Sequence, residues 1–154
     1  MEIKVQVEPF KMIGISTKTT NQDGQSAKDL GELWGRFYEE NIISKISNKI
    51  SEEVYSLYTD YESDYEGKYT AMIGLKVVTL DNIPEGLIGR KLNGGNYIKI
   101  MAKGKMPEAI MNAWQEIWDR DDELKRQYTT DFEVYTDKSQ KGENSEVEIF
   151  IATE

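Results

Sequence analysis

A chain of 154 residues with a net charge of -9, no cysteine and no histidine has the size of one domain. Those missing residue types exclude disulfides, thiol nucleophiles, Cys- or His-ligated zinc and Ser-His-Asp triads. The acidic balance argues against direct nucleic-acid binding, which needs a basic stripe, and with 3 Trp, 9 Tyr and 4 Phe it favours neutral or cationic partners.

The start, Met1-Glu2-Ile3-Lys4-Val5-Gln6, alternates like a strand and lacks the long apolar stretch of a signal peptide. No run approaches the ~18 apolar residues of a membrane span. A cytoplasmic protein with no membrane partner is expected. Strands are expected at Ile3–Val7 and Met12–Thr19, followed by the turn Asn21-Gln22-Asp23-Gly24. A helix is expected from Ala27 to Ser44, with Leu30, Leu33, Trp34, Phe37 and Tyr38 on one face, Ser26 as N-cap and Asp29 in the first turn. Further strands are expected at Val54–Tyr58, Thr70–Leu80, Gly86–Leu92 and Asn96–Lys103. Lys99, Lys103 and Lys105 read as part of a solvated edge strand and turn. A second helix, Pro107–Asp119, buries Ile110, Ala113, Trp114, Ile117 and Trp118. Strands Asp131–Tyr135 and Val147–Ala152 complete the chain.

These elements repeat. Leu30…Leu33-Trp34…Phe37-Tyr38 in the first helix is echoed by Ile110…Ala113-Trp114…Ile117-Trp118 in the second. Tyr55-Ser56-Leu57-Tyr58-Thr59-Asp60 is echoed by Phe132-Glu133-Val134-Tyr135-Thr136-Asp137, and Met12-Ile13-Gly14 by Leu87-Ile88-Gly89. The offsets are close to half the chain. The reading is a single α+β domain of two β-β-α-β-β units, about 1–80 and 81–154, with an antiparallel concave sheet and two helices on one side.

Strand alternation puts Glu133 and Tyr135 on one face and Phe132 and Val134 on the other. Tyr55 and Leu57 are expected to pack with Phe132 and Val134 under the helices, leaving Tyr58, Tyr135 and Glu133 on the opposite face. Where the first unit has Ser56 the second has Glu133, so the duplicated scaffold holds one unmatched acid. A carboxylate among aromatic rings can select an organic cation through charge and cation–π attraction, or act as a general base towards water; a solvated strand face is the bland alternative. Trp34, Trp114 and Trp118 most commonly serve as core on such helices. The acidic run Asp119…Asp121-Asp122-Glu123 lacks calcium-loop spacing and reads as a solvated helix end. Asp60-Tyr61-Glu62-Ser63-Asp64-Tyr65-Glu66-Gly67, acidic and aromatic, reads as a mobile hairpin loop, with cation binding at a pocket mouth as the alternative. Gly94-Gly95 has no helix behind it at phosphate-loop distance and reads as a turn. No metal or cofactor is expected.

The ordered set Leu33-Trp34…Phe37, Tyr55 to Tyr61, Tyr69…Ile73-Gly74-Leu75-Lys76-Val77, Ile83-Pro84-Glu85-Gly86-Leu87, Gly95-Asn96-Tyr97, Trp114…Ile117, Asp131 to Tyr135 and Val147 to Ile151 resembles the GyrI-like, or bacterial transcription-activator effector-binding, superfamily. The integron-associated effector-binding branch is the most similar. The resemblance covers essentially the whole chain. It implies two pseudo-symmetric modules, a hydrophobic pocket between them, and lipophilic, often cationic, small molecules as ligands. The pocket acid corresponds to Glu133, and the pocket aromatics to Trp34, Tyr58, Tyr69, Tyr97, Trp114 and Tyr135. Many members are fused to helix-turn-helix domains, for which this chain has no room, so a stand-alone binding protein is expected, as a monomer or weak dimer. Two alternatives come with the resemblance. One is a hydrolase of a reactive small molecule, in which Glu133 activates water and Tyr58 or Tyr135 donates a proton. The other is a module that acts on a protein partner such as DNA gyrase.

Overall fold

The computed structural model describes residues 2–154. Eight strands form one antiparallel sheet: β1 (Glu2–Val7), β2 (Phe10–Thr20), β3 (Lys49–Thr59), β4 (Lys68–Val77), β5 (Ile88–Leu92), β6 (Gly95–Lys103), β7 (Thr130–Tyr135) and β8 (Glu146–Ala152). Two long helices, α1 (Gln25–Glu39) and α3 (Glu108–Asp119), are each followed by one short turn of helix, α2 (Ile42–Lys45) and α4 (Asp121–Leu124). The strand order is β1-β6-β8-β7-β3-β4-β2-β5. Read outwards from its middle, β7-β8-β6-β1 matches β3-β4-β2-β5, as a twofold axis between β3 and β7 would generate. The first strand of each half is exchanged: β1 pairs with β6, and β5 with β2.

This order reassigns one of the three sequence echoes. Met12-Ile13-Gly14 lies in β2 and Ile88-Gly89 opens β5, just after Leu87; the two strands pair directly through Ile13↔Gly89 and Gly14↔Ile88. The counterpart of β2 in the order is β6. The sequence β6 was expected at an edge, but it lies between β1 and β8, where Lys99 meets Glu148 at 3.2 Å and Lys103 meets Glu146 at 3.7 Å.

The first helix is shorter than its periodicity predicts. It stops at Glu39, and Asn41 turns to left-handed φ (51°) before α2, a conformation Asn tolerates better than most residues. Ile42 is thereby driven into the core at 0% exposure. At the other end Gly24 (φ 71°) is the N-cap, so Ser26 lies inside the helix and the first turn holds no acid.

The sheet's two faces carry separate cores. On the helix side, Leu33 and Phe37 of α1 pack on Ile13, Ile15, Val54, Ile73 and Leu75. There too, Ala113 and Ile117 of α3 pack on Ile98, Ala102, Ile149 and Ile151. Trp114 and Tyr135 border both clusters. The other face carries Phe10, Met12, Tyr55, Leu57, Met72, Tyr97, Phe132 and Val134. This reverses the expected assignment: Phe132, Val134, Tyr55 and Leu57 point away from the helices, and the Glu133 face lies beneath them. Alternation correctly grouped the residues, but which group meets the helices depends on how the connections cross the sheet.

The helix-free face closes on itself. β2 and β7 have two strands between them, roughly 14 Å in a flat sheet at 4.7–4.9 Å per strand, yet the rings of Phe10 and Phe132 lie 5.4 Å apart. The bend is aided where Gly14 faces Gly74. A Cβ on Gly14 would lie 2.0 Å from the Ile73 carbonyl oxygen, so the backbones approach more closely than any side chain permits.

Candidate functional site

The register of the central ladder places Ser56 directly opposite Glu133. The unmatched acid and its counterpart are therefore cross-strand neighbours at the middle of the sheet. Both are buried, Ser56 at 0% and Glu133 at 2% exposure. Two residues further along each strand stand Tyr58 and Tyr135. The helices deliver Trp34 and Trp114 from above. Contacts cross between the halves: the Tyr58 ring meets Trp114 edge-on at 5.5 Å, and Tyr135 meets Trp34 edge-on at 5.0 Å.

Both carboxylate oxygens of Glu133 accept hydrogen bonds from neutral donors. The Tyr135 hydroxyl donates to Oε1 at 2.7 Å and the Trp114 indole N–H to Oε2 at 2.5 Å. The Ser56 hydroxyl donates to the Tyr58 oxygen at 3.0 Å. Among the described residues no Lys or Arg nitrogen lies within 4.0 Å of this carboxylate. Burial therefore raises its pKa, and hydrogen bonds from Tyr135, Trp114 and Tyr58 act in the opposite direction without reversing it. Burial also holds the Tyr58 and Tyr135 phenols well above their ordinary value, and the Glu133 charge adds to this in both. The cluster is a desolvated acid among aromatic rings and polar donors, with no counter-ion among the described residues.

The expected site residues divide into three groups. Glu133, Tyr135, Tyr58, Trp34 and Trp114 converge. Tyr69 stands one layer behind, edge-on to Tyr58 at 5.9 Å and donating to Asn21 Oδ1 at 2.8 Å; burial pushes its phenol up to about 12. Tyr97 is not part of the cage. Its strand parity puts it on the helix-free face against Phe132 at 5.4 Å, where its hydroxyl donates to the Thr130 carbonyl. The sequence fragment around Tyr97 carried no signal of which face it would take.

Beside the cage lies a network that sequence reading missed. The side chains of Arg126 and Asp131 are 2% and 0% exposed and pair at 2.8 Å. Asp131 also accepts from the Tyr61 hydroxyl at 2.5 Å and the Ala152 N–H at 2.8 Å. The Arg126 guanidinium lies 4.3 Å from the Tyr128 ring centre and 5.8 Å from that of Trp114. The segment expected to be a mobile hairpin loop is tied down by this network and by two further contacts. Asp60 takes a bidentate pair from Arg90 at 3.2 and 2.7 Å, and Tyr65 stacks on Trp118 at 5.9 Å. Two surface cavities of about 520 and 560 Å³ lie elsewhere, the first between Tyr65 and the acidic end of α3, the second between Asp60 and Gln127; Glu133 lines neither.

An eight-stranded antiparallel sheet thus carries two helices on one face, above a buried acid at its centre. The chain belongs to the integron-associated effector binding protein family, whose sequence profile matches residues 3–153. The integron cassette protein VCH_CASS2 from the mobile metagenome of Vibrio cholerae is 31% identical over 99% of this chain and 95% of its own, with a TM-score of 0.76. SAV2435, solved with tetraphenylphosphonium bound, has the same fold at a TM-score of 0.82 and 20% identity, over 100% of this chain and 94% of its own. YobU of Bacillus subtilis (strain 168), named as a candidate transcriptional regulator, is 24% identical over 145 residues, 92% of this chain and 91% of its own.

Proposed function

We propose that this protein binds a lipophilic organic cation, with Glu133 as its anionic partner and the surrounding Trp and Tyr rings as its apolar and cation–π surface. The observation that carries the reading is a carboxylate 2% exposed that, among the described residues, is held by neutral donors alone. An isolated buried anion costs several kcal/mol; a ligand that brings its own positive charge offsets that cost, and a neutral one does not. Aromatic faces add about 0.5–2 kcal/mol per cation–π contact. Membership of an effector-binding family supports the reading. The tetraphenylphosphonium on SAV2435 supplies a suitable probe, a monocation with an aromatic shell. The cage is closed around Glu133, so entry requires rings to separate.

Calorimetric titration tests this with tetraphenylphosphonium against neutral triphenylphosphine oxide, on the wild type and on Glu133→Gln. The wild type is expected to prefer the cation by at least about tenfold, or ~1.4 kcal/mol, and the variant to lose that preference. Equal affinity of the wild type for both probes, or an unchanged preference in Glu133→Gln, would overturn the assignment.

A further inference from the structure

The site presents two tryptophans from equivalent helices, and they are not equally free. Trp114 is committed on three sides. Its N–H donates to Glu133, the Tyr58 ring packs nearly perpendicular to it at 5.5 Å, and the Arg126 guanidinium stands over the ring at 5.8 Å. That guanidinium cannot move aside cheaply, because it is buried and paired with the fully buried Asp131. A cation placed on this ring would meet a covered face and a fixed like charge.

Trp34 has different neighbours. Its ring meets Phe37 at 6.2 Å, Tyr38 at 6.0 Å and Tyr135 at 5.0 Å. Among the described residues no cation–π contact covers it. Tyr38 stacks on it with an interplanar angle of 18° and is itself 57% exposed. Trp34 and Tyr135 are half-buried, and the Tyr135 hydroxyl reaches Glu133 Oε1. An unbroken run of aromatic rings therefore leads from solvent to the carboxylate on the α1 side.

We infer that the ligand is received on the α1 side by Tyr38, Trp34 and Tyr135, and that Trp114 is a positioning residue that aims Glu133. This rests on the cation-binding reading; it adds a direction of approach and one residue, Tyr38, and removes Trp114 from the rings that meet the cation. The chemical demand follows: the ligand carries its charge at one end close to Glu133 and an aromatic or apolar surface extending towards Tyr38. Trp114 then acts on the acid and not on the ligand.

The test labels the 3 Trp with 5-fluorotryptophan, assigns the resonances by single Trp→Phe variants, and titrates tetraphenylphosphonium. The Trp34 resonance is expected to move most. Trp34→Leu is expected to weaken binding at least about tenfold and Tyr38→Ala at least about threefold. Met111→Ala, at an exposed position of α3, is expected to bind as wild type. Trp114→Phe is expected to move the midpoint of the binding–pH profile upward, because the carboxylate has lost a donor. A largest shift at Trp114, or wild-type affinity in both Trp34→Leu and Tyr38→Ala, overturns the inference. Because Tyr38 is exposed, its variant stays informative if Trp34→Leu does not fold. If Glu133→Gln abolishes binding while the α1 variants do not alter it, this inference alone fails. If wild-type protein does not bind the phosphonium, or Glu133→Gln binds it equally, the cation-binding reading fails first.

Discussion

Replacing Tyr135 by Phe removes one oxygen that donates to Glu133 Oε1 at 2.7 Å and leaves the ring that packs on Trp34. The cost depends on the charge of the acceptor. A hydrogen bond to a neutral carboxyl contributes about 0.5–1.5 kcal/mol, and one to a carboxylate about 1.5–3 kcal/mol. Burial raises the Glu133 pKa above the ordinary value, so the folded protein holds this proton more tightly than the unfolded chain. Stability therefore falls as pH rises from the unfolded carboxylate range, ~4.3, through the raised native value. Loss of the Tyr135 donor deepens that fall, because the carboxylate it leaves behind is less well solvated. Urea unfolding of wild type and Tyr135→Phe at pH 4 and pH 9 is expected to give a destabilisation that grows by about 1 kcal/mol between the two, roughly 2–4 °C in Tm for a chain of this size. Tyr135 itself stays protonated across this range, its pKa being held well above the usual tyrosine value by burial and by Glu133. A destabilisation that is the same at both pH values would refute the argument that Glu133 gains its charge inside the cage.

Other perturbations follow from the same structure. Arg126→Met leaves Asp131, 0% exposed, without its cation and is expected to cost about 3–5 kcal/mol; chemical denaturation measures it, and the double variant Arg126→Met/Asp131→Leu is expected to recover part of the loss. Gly14→Ala sets a methyl 2.0 Å from the Ile73 carbonyl and is expected to destabilise by about 3 kcal/mol or more, visible as a lowered Tm; a loss below ~1 kcal/mol would mean that the β2–β4 approach can relax. Phe37→Ala empties a site of 0% exposure between α1 and the sheet, with an expected loss of about 3–5 kcal/mol by denaturation, and is also expected to loosen Trp34.

Much of the fold was legible because short-range signals report it. Apolar stretches, many of them alternating, located all eight strands, and helical periodicity located both long helices. The duplicated words around Ser56 and Glu133 identified the two residues that the ladder sets face to face. The third echo was misleading: Leu87-Ile88-Gly89 resembles β2 but marks the start of its neighbour β5. Short apolar words with one glycine recur readily in strands, and they carry no pairing partner.

What the sequence determined by itself is parity: Glu133 shares a face with Tyr135, and Ser56 shares one with Tyr58, because side chains alternate along any strand; the register of β3 on β7 brings the two pairs onto one face. The tertiary structure decided which face that is. The crossings of α1 and α3 over the sheet put the acid under two tryptophans and left Phe132, Val134 and Tyr97 to line the closed side. The pairing of Arg126 with Asp131, and its place over Trp114, likewise needed the third dimension. It joins a loop, a strand start and a helix face, whose proximity no local periodicity encodes. The burial of Glu133, with no Lys or Arg partner among the described residues, is likewise a property of that assembly.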